Sequence, residues 1–142
     1  MRNDHFIMLV GSVGLIGFLF AHVAPSHQPG IKRANLQQHD LSSSGREAVQ
    51  VRIDFTSGTS FGKHSHPGEE IIYVLEGVLE YRVGSKAPVT LESGGVLFIP
   101  AGTIHSAKNI GSGNAAELAT YIVEKGKPLV SMETEHSIKR PQ

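Results

Sequence analysis

From about residue 46 onward, apolar side chains recur at every second position in short runs, and glycine or proline closes each run. In Ala48–Phe55, Val49, Val51, Ile53 and Phe55 face one way while Gln50, Arg52 and Asp54 face the other. That period of two belongs to a half-buried β-strand. Val78–Val83 alternates again, with Leu79, Tyr81 and Val83 opposite Glu80 and Arg82. Ile71–Leu75 (IIYVL) is apolar at every position, which predicts a strand covered on both faces. Val96–Ile99 and Leu118–Val123 are further β-rich runs, and a short leading strand is expected near Asn35–Leu41. Gly77, Gly84, Gly94-Gly95, Pro100-Ala101-Gly102 and Gly111-Ser112-Gly113 fall between the runs at turn spacing. No stretch after residue 30 sustains a helical period over three turns. About seven short strands spaced in this way predict an all-β sandwich or barrel.

The first 26 residues are a different material. Phe6–Ala21 carries no charge over sixteen positions, too long for a compact signal core of about 7 to 15 residues. It is also short of the roughly 20 residues of a spanning helix. Residues 1–26 are expected to be a cleaved signal peptide or a retained N-terminal membrane anchor within residues 6–24. Either would export the remainder to the periplasm or beyond. A linker with the leading strand occupies 27–45, a barrel 46–125 and a C-terminal tail 126–142.

Charge excludes more than it asserts. Thirteen basic and thirteen acidic side chains balance to zero, without the basic excess that nucleic-acid binding requires. Contact with a membrane is expected only through the N-terminal segment. With no cysteine there are no disulfides, thiolate nucleophiles or CxxC metal sites.

Eight histidines are many for 142 residues. His5, His22, His27, His39 and His136 fall in leader, linker or tail and are read as ordinary. His64 and His66, two apart in an extended segment, point to the same side. Glu70 follows His66 by four residues across the Pro67-Gly68 turn, and His105 follows the turn at Pro100 to Gly102. Imidazole and carboxylate together suit one divalent transition metal of the Mn, Fe, Co, Ni and Zn group. Three neutral imidazoles and one carboxylate would leave such an ion singly positive, with about two open positions in an octahedral shell.

The frame around these residues resembles the cupin superfamily, in its small single-domain form. Its first motif, G-x5-HxH-x3-E-x6-G, is filled by Gly58, His64, His66, Glu70 and Gly77. Its second, G-x5-P-x-G-x2-H-x3-N, is filled by Gly94, Pro100, Gly102, His105 and Asn109. Ser57 and Gly95 depart from the common pattern at turn positions only. The likeness spans about Val49 to Val123. It implies a jelly-roll barrel behind the hydrophobic N-terminal helix, with His64, His66, Glu70 and His105 as metal ligands. It also implies a homodimer, for which Ile71, Tyr73 and Leu75 offer an apolar outer strand face.

Strand parity puts Leu79, Tyr81, Val83, Ile72 and Val74 around the site, an apolar cup with Tyr81 as its one polar handle. No second inward carboxylate, lysine or arginine is evident, so acid–base work would fall on Glu70 or on metal-bound water, with Tyr81 as a hydrogen-bond donor. The chain is expected to be a metal-dependent enzyme acting on a small organic molecule, dioxygenase-like or isomerase/hydrolase-like. The alternative is a non-catalytic module that binds a small molecule or a metal.

Overall fold

The computed structural model describes residues 28–133; the expected leader and N-terminal helix, and the end of the tail, lie outside them. The described residues form ten strands and no helix. One antiparallel sheet contains β1 (Ile31–Asp40), β2 (Arg46–Phe55), β9 (Ala115–Glu124), β4 (Gly68–Glu76) and β7 (Val96–Ile99), in the order β1-β2-β9-β4-β7. The other runs β10-β3-β8-β5-β6, built from β10 (Ser131–Met132), β3 (Ser60–Ser65), β8 (His105–Asn109), β5 (Val78–Val83) and β6 (Val89–Glu92). Neighbours in space are mostly distant in sequence, the connectivity of a jelly roll. The all-β expectation therefore holds.

The inner faces follow the alternation. Val49, Val51, Ile53 and Phe55 from β2 meet Ile72 and Val74 from β4 and Leu79, Tyr81 and Val83 from β5 in one core cluster. The leading strand is longer than expected and begins at Ile31. Strands β3 and β8 escaped the alternation because SFGKHS and HSAKN carry the site's polar groups where core residues would otherwise stand. The tail is partly structured too, since Ser131 and Met132 pair with Ser65 and His64 of β3.

Two glycines show how closely the strands must approach. Gly68 opens β4 opposite Val123, and a Cβ there would overlap the Ile122 carbonyl and lie 2.6 Å from Val123 Cα. Gly77 holds a positive φ of 75° in the turn between β4 and β5, a conformation that strains any other residue. Asn109, the last residue of the second motif, is fully buried. Its amide donates to the carbonyls of Phe55 (3.1 Å) and Gly113 (2.8 Å), and its Oδ1 accepts from Gly111 N–H (2.9 Å). It thereby pins a loop to the end of β2.

One expectation is corrected. The strand through Ile71–Leu75 is covered on its inner face alone: Ile71 and Tyr73 are 47% and 46% exposed. Their neighbours on β7, Phe98 and Val96, are 58% and 66% exposed. An unbroken apolar run marks a strand with two apolar faces but does not say what covers the second. Among the described residues nothing does.

Candidate metal centre

The site lies between the sheets. His64 is the penultimate residue of β3 and stands directly opposite His105, the first residue of β8. His66 follows β3, and Glu70 comes from the inner face of β4 in the other sheet. The turn delivering His105 is tied to the first motif by the Gly102 N–H, which donates to the His66 carbonyl at 3.1 Å. All four side chains are buried. The ring centroids of His64 and His105 lie 4.1 Å apart, those of His64 and His66 4.9 Å, and those of His66 and His105 5.1 Å.

Each imidazole is oriented by a backbone carbonyl. Nδ1 of His64 lies 2.7 Å from the Gly62 oxygen, Nδ1 of His66 2.6 Å from that of Leu129, and Nδ1 of His105 2.9 Å from that of Thr103. A carbonyl can only accept, so each Nδ1 carries the proton. In the neutral ring Nε2 is then left with a free lone pair, the tautomer in which histidine ligates a metal.

Nε2 of His105 and of His66 lie 2.9 and 3.3 Å from Oε2 of Glu70. Even so, these three are the buried side-chain polar atoms without a hydrogen-bond partner among the described residues. Unpaired buried polar atoms are costly, and a cation shared among the three would satisfy them together. One ligand atom from each histidine falls within 4.8 Å of the others. The three buried histidines can hold a metal ion, and the Glu70 oxygen faces two of them.

Electrostatics favours the ligating protonation states of His64 and Glu70, whereas His105 is raised: burial pushes it down, but the nearby Glu70 carboxylate outweighs burial. Burial, then the charge of His105, lowers His64 to about 3. Burial pushes the Glu70 carboxyl up, but His105 and His66 outweigh it and hold the group down to about 2. A neutral His64 and an ionised Glu70 are what a cation requires.

The surroundings correct a second expectation. Glu117 of β9 is an inward carboxyl that strand parity had not singled out, and Tyr81 donates its hydroxyl proton to it. Burial, then the negative charge of Glu70, raises Glu117 to about 8, so it is a neutral acid near pH 7. Glu117 shares parity with Ala119, Tyr121 and Val123, the signal that could have found it. Leu118 and Ile122 on the opposite parity obscured that signal. Arg33 of β1 also reaches the site, donating to the Tyr121 hydroxyl at 3.5 Å. The enclosed space is about 10 Å³, roughly one water. Arg33, Phe61, His64, Glu70, His105 and Glu117 are among its walls.

The family described as Cupin domain matches residues 51–123, a little over half of the chain. Germin-like protein 1-1 from Oryza sativa subsp. japonica is 40% identical over 76 residues, 50% of this chain and 35% of that protein. The chain thus spans about a third of the length of that relative. Among solved structures, a recombinant oxalate oxidase in complex with glycolate aligns with a TM-score of 0.61 at 21% identity, over 75% of this chain and 57% of that one. The DMSP lyase DddQ from Ruegeria pomeroyi DSS-3 aligns at 0.54 and 21% identity, over 60% of this chain and 42% of that one. At such identities the likeness shows the fold alone.

Proposed function

Because this chain belongs to the cupin-domain family, we propose that His64, His66, His105 and Glu70 hold one divalent transition metal, and that the barrel is a metal-dependent enzyme acting on a small organic molecule. The observation carrying this reading is the set of converging, partnerless atoms: Nε2 of His66, Nε2 of His105 and Oε2 of Glu70. When bound, the ion would supply Lewis acidity and open positions for an oxygen-bearing ligand.

The chain's own residues would do the rest. Three backbone carbonyls fix the imidazole rings. In the metal-free barrel near pH 7 Glu70 is anionic and Glu117 protonated, two carboxyls on neighbouring strands with opposite states, the pattern that separates a base from an acid. Tyr81 presents its hydroxyl to Glu117 and so holds that carboxyl in place. Ile53, Ile72 and Ala107 line the remaining wall and exclude water. Such a cavity suits dioxygenase-like or isomerase/hydrolase-like chemistry.

A second reading, a non-catalytic module for a metal or a very small ligand, is favoured by the size of the cavity, about 10 Å³. Metal analysis combined with oxygen-uptake and turnover assays on catechols, flavonols, diketones and thiols separates these readings. About one divalent ion per chain with turnover supports the enzyme, one ion without turnover the binding module. No stoichiometric metal removes the enzyme and the metal-binding module. The uncharged Phe6–Ala21 run supports export, so the sample is best taken from a periplasmic or secreted fraction.

The exposed side chains of Ile71, Tyr73, Val96 and Phe98 form one apolar patch across the edge of a sheet. Patches of this kind mark interaction surfaces, and it supports pairing with a second copy. Phe98→Glu is expected to turn a dimer into a monomer in sedimentation velocity. A wild type that sediments as a monomer at micromolar concentration overturns this pairing.

A further inference from the structure

The described arginines divide into two kinds. Arg46, Arg52 and Arg82 each contact a carboxylate, at 2.6 Å on Glu69, 2.7 Å on Asp54 and 3.1 Å on Glu80. Arg33 has no such contact among the described residues. Its one side-chain hydrogen bond is the long one to the Tyr121 hydroxyl, 3.5 Å. A guanidinium has five N–H donors, so most of those of Arg33 are unspent.

Arg33 is nevertheless held. Its Cζ lies 5.6 Å from the centroid of the Phe61 ring, within reach of cation–π attraction. Phe61 packs edge-on against His64, ring centroids 4.4 Å apart, and Tyr121 packs against His66 at 4.6 Å. The two aromatic residues that seat the guanidinium are therefore the two that buttress the histidines. Arg33 lines one cavity with His64, His105 and Glu70. Glu117, the other inward carboxyl, is engaged by Tyr81 instead.

We propose that Arg33 is a specificity-determining residue: it receives the carboxylate of a small ligand whose other end lies at the proposed metal, which makes the substrate class small organic acids. The proposal rests on the metal reading above. A planar carboxylate matches the guanidinium fork with two parallel hydrogen bonds. The cavity is about 10 Å³, roughly one water, so only a small acid that displaces the half-buried Arg33 side chain can reach the metal. Arg33 lies in β1, outside the stretch at 51–123 that matches the family, so the motifs assign it no role.

The test uses the full chain loaded with Co2+, whose visible spectrum reports ligand binding at the metal directly. The probes are glycolate, its neutral amide glycolamide, and imidazole as an uncharged metal ligand. In the wild type glycolate is expected to bind more tightly than glycolamide. Arg33→Gln is expected to weaken glycolate by about 10- to 100-fold, the range for a lost charge-assisted hydrogen bond. Imidazole affinity should stay unchanged, and Arg33→Lys should restore part of the glycolate affinity. Unaltered glycolate binding in Arg33→Gln, or an equal loss for imidazole, overturns the role of Arg33 and leaves the metal reading standing. A chain that takes up no cobalt overturns both.

Discussion

His66→Ala is expected to erase the metal-dependent part of the protein's thermal stability while leaving a folded barrel. A ligand that binds only the folded state stabilises it by about 2.7 kcal/mol at one hundred times its Kd and about 4.1 kcal/mol at one thousand times. For a domain of this size that is a shift in Tm of roughly 10 °C or more. His66 is one of the four inward groups, and its Nε2 is among the three partnerless buried atoms. Without it the site keeps His64, His105 and Glu70 but loses a nitrogen donor already oriented by Leu129. The barrel itself rests on the apolar cluster and the two sheets, which do not include that ring. The measurement is Tm with chelator and with added Mn2+, Co2+ or Zn2+, for wild type and variant. Equal metal-induced shifts in the two proteins would sink the assignment of His66 as a ligand.

Glu117→Gln is expected to change how stability depends on pH. Glu117 is raised from 4.5 to about 8 in the folded chain. Between those pH values the folded state binds one proton more than the unfolded state at this residue. Stability from this group is therefore intact below about pH 4.5 and is lost as pH rises toward 8, by about 1.4 kcal/mol per pH unit. His64 acts the opposite way. Lowered from 6.5 to about 3, it makes the fold gain stability as pH rises through that window. In metal-depleted wild type the two slopes oppose each other between about pH 4.5 and 6.5. Glutamine keeps an oxygen to accept from Tyr81 but cannot ionise. The variant should gain about 3 kcal/mol on the wild type between pH 5 and pH 7, read from urea midpoints at each pH. A constant offset across that range would mean that Glu117 is ionised inside the barrel.

How much of this was legible in the sequence depended on whether a residue's neighbours shared its parity. The alternation of β2 and β5 located their inner faces before any coordinates, because water on one side and core on the other leave a period of two. The histidines and Glu70 stood out for a related reason: fixed spacing and glycine or proline turns frame each of them. Glu117 was hidden because the residues of β9 on its opposite parity include Leu118 and Ile122, so neither face reads as polar. Arg33 was hidden for another reason. Its strand has a mostly exposed burial pattern and reads as a linker, and only pairing with β2, in the register Arg33 opposite Ile53, brings it to the cavity. The outer face of β4 was misjudged because hydrophobicity reports a preference for burial and not the presence of a cover.

The carbonyl of Leu129 has a further meaning for what counts as the working unit. The stretch that identifies the chain ends at residue 123, and every motif residue lies within it. Yet the ring of His66 takes its orientation from an oxygen six residues past that boundary. The segment carrying it is strapped to β3, with the Glu133 N–H donating to the Lys63 carbonyl at 2.8 Å and with Leu129 and Val130 packed on the core. The part of the chain that can be recognised is thus shorter than the part that completes the site. Fidelity at His66 depends on a stretch outside the matched residues, held both by its backbone hydrogen bonds and by the apolar side chains of Leu129 and Val130.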